Sequence, residues 1–387
     1  MLELMQIEKL LLVDFRSCAH VTLEPGPGIN VLVGGNAQGK STLLEAVYLL
    51  ATSRSPRAGK DVELIRWGQE FATASVEVLR EDRGEVGVEV SLSRTDRRVM
   101  RVNGVRRSRV ADVVGQLNAV LFTAADLDII RGEPSLRRRF LNLEISQVSP
   151  QYCHALLQYR RILEQRNRLL KSLRDHGGSA ETLDAWSEQL VAVGARMMER
   201  RLAFTMDLGR HAQRIYREIA GSGEELNIHY LPSLPIEAGG DIASAFRSRL
   251  EEVRQEELAR GITLVGPHRD DLGFQVKGVD VRVFGSQGQQ RSVALSTKLA
   301  EVELMRERVG EAPVLLLDDA GAELDERRRE RLFDTVRECC QTLVTCTDEA
   351  MLPAQIVRNA QRYRVEEGRV ARGDDLMTHD DRVGQHR

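Results

Sequence analysis

Eight consecutive residues, Gly34-Gly35-Asn36-Ala37-Gln38-Gly39-Lys40-Ser41, have the types and spacing needed to hold a chain of phosphates. They fit G-x-x-x-x-G-K-[ST] at every fixed position. Glycines let the backbone curl until its N–H groups converge on an anion. Lys40 can reach the β- and γ-phosphates, and the Ser41 hydroxyl can ligate Mg²⁺. A helix starting by Thr42 adds the positive end of its dipole. Gly34 to Thr42 are therefore the expected ATP-binding residues. Much later, Val314-Leu315-Leu316-Leu317 runs into Asp318-Asp319. A carboxylate at the end of an apolar strand can share Mg²⁺ with the loop serine. A second one beside it can orient or deprotonate the attacking water. These residue types assign Mg²⁺ to Ser41 and Asp318, and phosphate chemistry to Lys40, Asp318 and Asp319.

Such a loop works only between a strand and a helix. Ile29 to Val33 is a short apolar run that reads as a buried strand, and Thr42 to Ala51 reads as a helix. Further strands are expected over 7–15, 19–23, 71–79, 85–93, 97–102 and 117–122, the 97–102 strand turning at Asn103-Gly104. From about Pro134 to Arg260, apolar residues recur at three- and four-residue spacing among Arg, Glu and Gln, which predicts helices. Strands return at 226–230, at 272–276 paired with 279–283, and at 313–317 and 342–346. A closing hairpin is expected over 362–370 with its turn at Glu367-Gly368, and helices are expected from about 290 to 309 and over 326–339. The expected organisation is an α/β fold with a mixed sheet and an antiparallel β layer. One domain is assembled from 1–133 and 261–387, and a helical domain, 134–260, is inserted between them.

Composition bounds the rest. The chain has 387 residues, 42% of them hydrophobic, and a net charge of −3, so any nucleic-acid surface must be local. Six lysines stand against 49 arginines, a bias that reads first as codon usage. Five cysteines without C-x-x-C spacing read as reduced thiols. No apolar run can span a membrane and no signal peptide is evident, so a cytoplasmic location is expected.

Gly285-Ser286-Gln287-Gly288-Gln289-Gln290-Arg291 precedes Asp318 and opens a helix. One reading is a polar cap on an amphipathic helix. The other comes from resemblance: Ser286, Gly288 and Gln289 match the Leu-Ser-Gly-Gly-Gln signature of ABC-type ATPases, while Gly285 and Gln287 depart from it. In that class the signature meets the γ-phosphate held by a second subunit, which implies an ATP-dependent homodimer with Ser286, Gln287, Gly288 and Gln289 acting in trans. Glu323 and Asp325 fall where such ATPases carry a loop that touches the partner.

The phosphate loop, the signature and Asp318-Asp319 with Ala322-Glu323-Leu324-Asp325 resemble the bacterial RecF family. So do Arg137 to Leu141, Tyr159-Arg160-Arg161 with Gln165-Arg166-Asn167, and Gly266-Pro267-His268-Arg269-Asp270-Asp271. The resemblance runs nearly the length of the chain. It implies an ABC-type head with a helical second domain in a protein of DNA replication, recombination and repair, including the SOS response. Such a protein binds DNA at single-strand gaps when ATP-bound and dimeric, and helps load recombinase with RecO and RecR. It implies weak, DNA-stimulated ATPase activity serving as a nucleotide switch. A related alternative is a chromosome-maintenance ATPase of the SMC kind. Departures are Ala124-Ala125 where the family has Pro-Glu, Ala322 where it often has Ser, and Thr345-Cys346-Thr347-Asp348 in place of a switch histidine; Thr347 or Asp348 is the expected γ-phosphate sensor. Candidate DNA contacts are Arg57, Arg131, Arg137, Arg138 and Arg139, through phosphates rather than bases. The role of Gly266 to Asp271 is open.

Overall fold

A computed structural model describes residues 5–373, apart from 179–180, 221–222, 238, 320–325 and 338–339. It divides into two compact units, Met1–Asp126 with Lys298–Arg387, and Leu127–Thr297.

The first unit opens with β1 (Gln6–Phe15), β2 (Cys18–Leu23) and β3 (Ile29–Val33), followed by α1 (Lys40–Thr52). Strands β4 (Phe71–Arg80), β5 (Gly84–Ser93), β6 (Val99–Val102), β7 (Val105–Arg107) and β8 (Ala119–Phe122) complete its N-terminal part. The second unit carries α2 (Leu127–Arg131), α3 (Pro134–Val148), α4 (Pro150–His176), α5 (Glu181–Ala220), β9 (Leu226–Leu231), α6 (Ile242–Glu252), α7 (Arg254–Arg260), β10 (Asp271–Val276), β11 (Val279–Asp280) and α8 (Val281–Phe284). The division falls inside α9 (Gln287–Val309). Then come β12 (Val314–Leu317), α10 (Glu326–Arg337), β13 (Thr342–Cys346), α11 (Ala354–Asn359), β14 (Gln361–Glu366) and β15 (Arg369–Arg372).

Two six-stranded sheets make the first unit. One is antiparallel, in the order β2-β1-β4-β5-β6-β7. Its strands alternate: Ala72, Ala74, Val76 and Val78 are buried between more exposed neighbours, as a sheet with one covered face requires. The other has the order β15-β14-β3-β13-β12-β8; β14, β3, β13, β12 and β8 are parallel, and β15 is an antiparallel edge. β12 and β13 are buried throughout, which explains the wholly apolar sequence of β12 and the apolar residues of β13 between its two threonines. N- and C-terminal parts of the sequence share this unit. The Gln341 side chain, just before β13, accepts the Ile7 N–H at 2.7 Å and donates to the Ile7 and Gly26 carbonyls at 2.9 and 2.8 Å.

The second unit holds more than the expected 134–260. β9 pairs antiparallel with β10 along its whole length, so residues beyond 260 belong with the helices. The segment Gly266 to Asp271 is the reason. Arg201 of α5 is fully buried and donates to the Tyr152 hydroxyl (2.8 Å), the Pro267 carbonyl (2.6 Å) and Asn142 (2.9 Å), with Asp270 at 3.5 Å. Asp270 also accepts the Tyr230 hydroxyl and the Ser233 N–H. Gly266 has φ +124°, and a Cβ there would stand 2.5 Å from the Tyr159 hydroxyl. The motif left open by the sequence thus binds α4, α5 and the small sheet together.

His268 sits in the same network. Its Nδ1 accepts the Tyr159 hydroxyl at 2.8 Å, and Nε2–H donates to the Thr263 carbonyl at 3.1 Å. Burial first, then the cations Arg269, Arg138 and Arg166, bring its pKa down to about 4. The unfolded histidine takes a proton near pH 6.5, while the folded one resists until about 4. Stability from this group is complete above 6.5 and is lost as pH falls towards 4, by about 3 kcal/mol. Denaturant unfolding of His268→Gln should fall less steeply between pH 7 and 4.5 than that of the native chain; equal slopes would contradict this.

Two expected elements differ. The strand placed at 279–283 ends at Asp280, whose carboxylate accepts the Arg282 N–H at 2.8 Å and starts α8. The helix expected from about 290 starts at Gln287, because Ser286 Oγ accepts the Gln289 N–H (3.2 Å) while Gln289 Oε1 accepts the Ser286 N–H (3.0 Å). This reciprocal pair is a capping box.

Candidate nucleotide site

In a parallel sheet, ligands gather beyond the C-terminal strand ends. β3, β13 and β12 lie side by side, so the loop after β3, Thr345 and Cys346 on β13, and Asp318 after β12 meet at one edge. The Ser41 hydroxyl donates to Asp318 Oδ1 at 2.6 Å, across 277 residues of sequence. Thr345 Oγ1 donates to the same oxygen at 2.9 Å and accepts the Asp319 N–H at 3.0 Å. Lys40, only 5% exposed, donates from Nζ to the Gly34 and Gly35 carbonyls at 2.8 Å each. The Gly34 N–H donates to the Cys346 carbonyl at 3.3 Å. Ala37 and Gly39 take φ +61° and +107°, the curl that turns amides inward. No acidic residue and no side-chain cap occupies the start of α1, which leaves its positive end to a ligand. Asp319 has φ +50°, an uncommon conformation for a non-glycine residue.

Among the expected ATP-binding residues, Gln38 differs: its side-chain oxygen accepts the Glu367 N–H at 2.6 Å. Thr347 and Asp348, the expected sensors, have local partners. Thr345 reaches Asp318, whereas Asp348 accepts the Ala350 N–H at 2.9 Å and caps a local turn, and Thr347 lies near the Met351 sulfur. Burial first, then Glu349 with Asp319 and Asp348, push the Cys346 thiol up to about 11 against the lowering pull of Lys40, and so favour its protonated form.

Beside α1 lies a hollow lined by Arg16, Ser17, Thr42, Arg57, Trp67 and Arg94. Its floor is Glu45, buried in α1, which meets Arg16 at 2.9 Å and Arg57 at 2.8 Å. Burial raises the Glu45 pKa, but hydrogen bonds from Arg16 and Ser55 and the charges of Arg57 and Arg16 outweigh it and hold the carboxyl below its usual range. Sequence reasoning missed Glu45 and Arg16. The available signal was an acid inside the apolar run Leu43 to Leu50, which must find cations. Trp67 is 94% exposed at the rim.

The arginines expected on DNA separate. Arg57 donates to the Ser41 carbonyl at 2.7 Å and to Glu45, so it belongs to this hollow. Arg137 is a correction: it is 2% exposed and grips Asp271 bidentately at 2.6 and 2.9 Å, engaged inside the second unit. Arg138 is half-buried and donates to the Asp270 carbonyl at 2.9 Å. Arg131 and Arg139 are exposed, with Arg131 Nε on Gln290 Oε1.

In the second unit, Ser286 and Gln287 are exposed, and Gly288 and Gln289 half-buried, at the start of α9. The capping box satisfies the structural reading of this motif, and Gln289 Nε2 also reaches Glu224 at 3.4 Å. Glu323 and Asp325 lie outside the described residues. Among the described residues no helix is long and apolar enough to cross a membrane.

A model of the RecF/RecN/SMC N-terminal domain matches residues 6–370. The DNA replication and repair protein RecF of Geobacillus kaustophilus is 42% identical over 371 residues, covering 95% of this chain and 99% of that protein. Its Bacillus subtilis counterpart is 40% identical over 368 residues, 94% and 99% of the two chains. A solved structure of the recombination mediator protein RecF with ATP superposes with a TM-score of 0.89 at 33% identity, covering 96% and 98%. The Smc head domain of Pyrococcus furiosus gives 0.54 at 18% identity over 98% and 99%, a likeness of fold alone.

Proposed function

The chain belongs to the RecF family of DNA replication and repair proteins, and on that premise we propose that it is an ATP switch that closes two copies of itself over DNA at single-strand gaps. The observation that carries this reading is the trio Ser41, Asp318 and Thr345 beside Lys40, joined at one sheet edge. Lys40 leaves its two carbonyls for the β- and γ-phosphates, and the amides of Gly39 to Thr42 take the rest of the chain. The nucleoside lies towards Thr42 and the hollow with Arg16 and Trp67. Two hard oxygens 2.6 Å apart, from Ser41 and Asp318, are the donors Mg²⁺ takes alongside phosphate oxygens. When bound, Mg²⁺ neutralises charge on the phosphates. Asp319 positions the water; being shorter than a glutamate, it supports only weak turnover.

Ser286 and Gly288 complete the site on a second copy, so ATP binding and dimerisation are one event. DNA is held through phosphates by exposed arginines such as Arg131 and Arg139, independent of sequence and sensitive to salt. RecO and RecR are the partners in loading recombinase. Gapped duplex should bind at least ten-fold more tightly with MgATP than with MgADP or no nucleotide, by fluorescence anisotropy at fixed salt. Equal affinity in all three states would refute the switch.

A further inference from the structure

The hairpin of β14 and β15 grips the phosphate loop from outside. Gln38 belongs to the loop, yet both its oxygens face the hairpin turn: Oε1 accepts the Glu367 N–H at 2.6 Å, and its backbone carbonyl accepts the Gly368 N–H at 2.9 Å. A Cβ on Gly34 would lie 2.2 Å from the Val365 carbonyl oxygen, so only glycine allows β14 this close. A Cβ on Gly39 would lie 3.4 Å from the Gly368 Cα and equally far from the Ser17 hydroxyl. β14 also pairs in parallel with β3, the strand that delivers the loop. Glu367 and Gly368 have φ +48° and +72°, the left-handed pair of a tight hairpin turn. Glutamate is a poor residue for that conformation. The bond from Gln38 holds it there.

We propose that this hairpin is part of the nucleotide site, and that Gln38 is a positioning residue that locks the loop to it rather than a phosphate ligand. The inference rests on the reading that the loop binds ATP. It means that the curl at Ala37 and Gly39 is set before the triphosphate arrives, so binding does not have to order it. By reciprocity, the triphosphate must tighten the hairpin as much as the hairpin strengthens the site.

The test combines MgATP titration calorimetry with hydrogen exchange at the Glu367 and Gly368 amides. Gln38→Ala removes the side-chain bond. Gly368→Ala leaves every loop residue intact, but its new methyl would stand 2.6 Å from the Ser17 carbonyl at a left-handed position and displace the turn. Both variants should bind MgATP at least ten-fold more weakly, with thermal unfolding little changed. In Gln38→Ala the two amides should exchange at least ten-fold faster. In the native chain, saturating MgATP should slow the same amides at least ten-fold. Native-like MgATP affinity in either variant would overturn the proposal. So would weakened binding in Gln38→Ala with native exchange at 367 and 368, which would make Gln38 a direct ligand. If the variants fail to fold, native exchange decides: rates unmoved by saturating MgATP refute the coupling. A native chain that binds no MgATP would refute the phosphate-loop reading instead.

Discussion

Lys40→Ala should lower MgATP affinity at least a hundred-fold and abolish nucleotide-dependent DNA binding. The side chain is buried and its ammonium group is already fixed by two carbonyls at 2.8 Å, beside the Ser41–Asp318 pair. Little order is lost when it turns to phosphate. Each charge-assisted hydrogen bond contributes about 1.5–3 kcal/mol, and two of them set the hundred-fold scale. Alanine is the best helix former at the first position of α1, so the fold should persist. Calorimetry with MgATP alongside a thermal melt checks both parts. Native-like affinity would mean that the loop does not carry the triphosphate.

The second large effect is on stability. Arg201→Met should destabilise the second unit by about 3–5 kcal/mol, because it strands Asp270 in the interior without its cation. It also leaves the Pro267 carbonyl and Asn142 short of a donor. Asp270 is already raised by burial, against the pull of Arg201 and the Tyr230 hydroxyl, and loss of the arginine raises it further. An acid with a raised folded pKa contributes stability below its unfolded pKa and loses it as pH rises through the folded value. The deficit of Arg201→Met relative to native should therefore shrink as pH falls from 8 to 5. Adding Asp270→Asn should restore part of it at pH 8. Denaturant melts across that range provide the measurement; a constant deficit would mean that Asp270 is not the group left uncompensated.

The elements that carry chemistry were legible because local patterns mark them. Ile29–Val33, apolar but for the buried Asn30, and Val314–Leu317 are short runs bounded by chemistry, as parallel strands buried on both faces require. The Asn103-Gly104 and Glu367-Gly368 turns were also local. What was not legible depends on partners far away in sequence. Gln38 looks like any residue of a phosphate loop until Glu367, 329 positions later, is placed against it. Arg137 reads as a cation free for DNA until Asp271 claims it. Residues 261–297 read as a return to the first unit, because nothing local announces that β10 pairs with β9. The capping box at Ser286 and Gln289 was legible in principle; its serine and glutamine stand three apart. The polar-cap reading and the signature resemblance both stood in the sequence, and both roles fit one exposed serine.

In the proposed switch, each nucleotide site is shared between two copies. Lys40→Ala leaves the signature intact, and Ser286→Arg leaves the phosphate loop intact. Alone, neither should dimerise with MgATP. Mixed, they can form a dimer with one complete site, so sedimentation velocity with MgATP should show a dimer in the mixture that is absent from either variant and from the mixture with MgADP. A Ser286→Arg chain that dimerises by itself, or a mixture that stays monomeric while the native chain dimerises, would contradict the shared site.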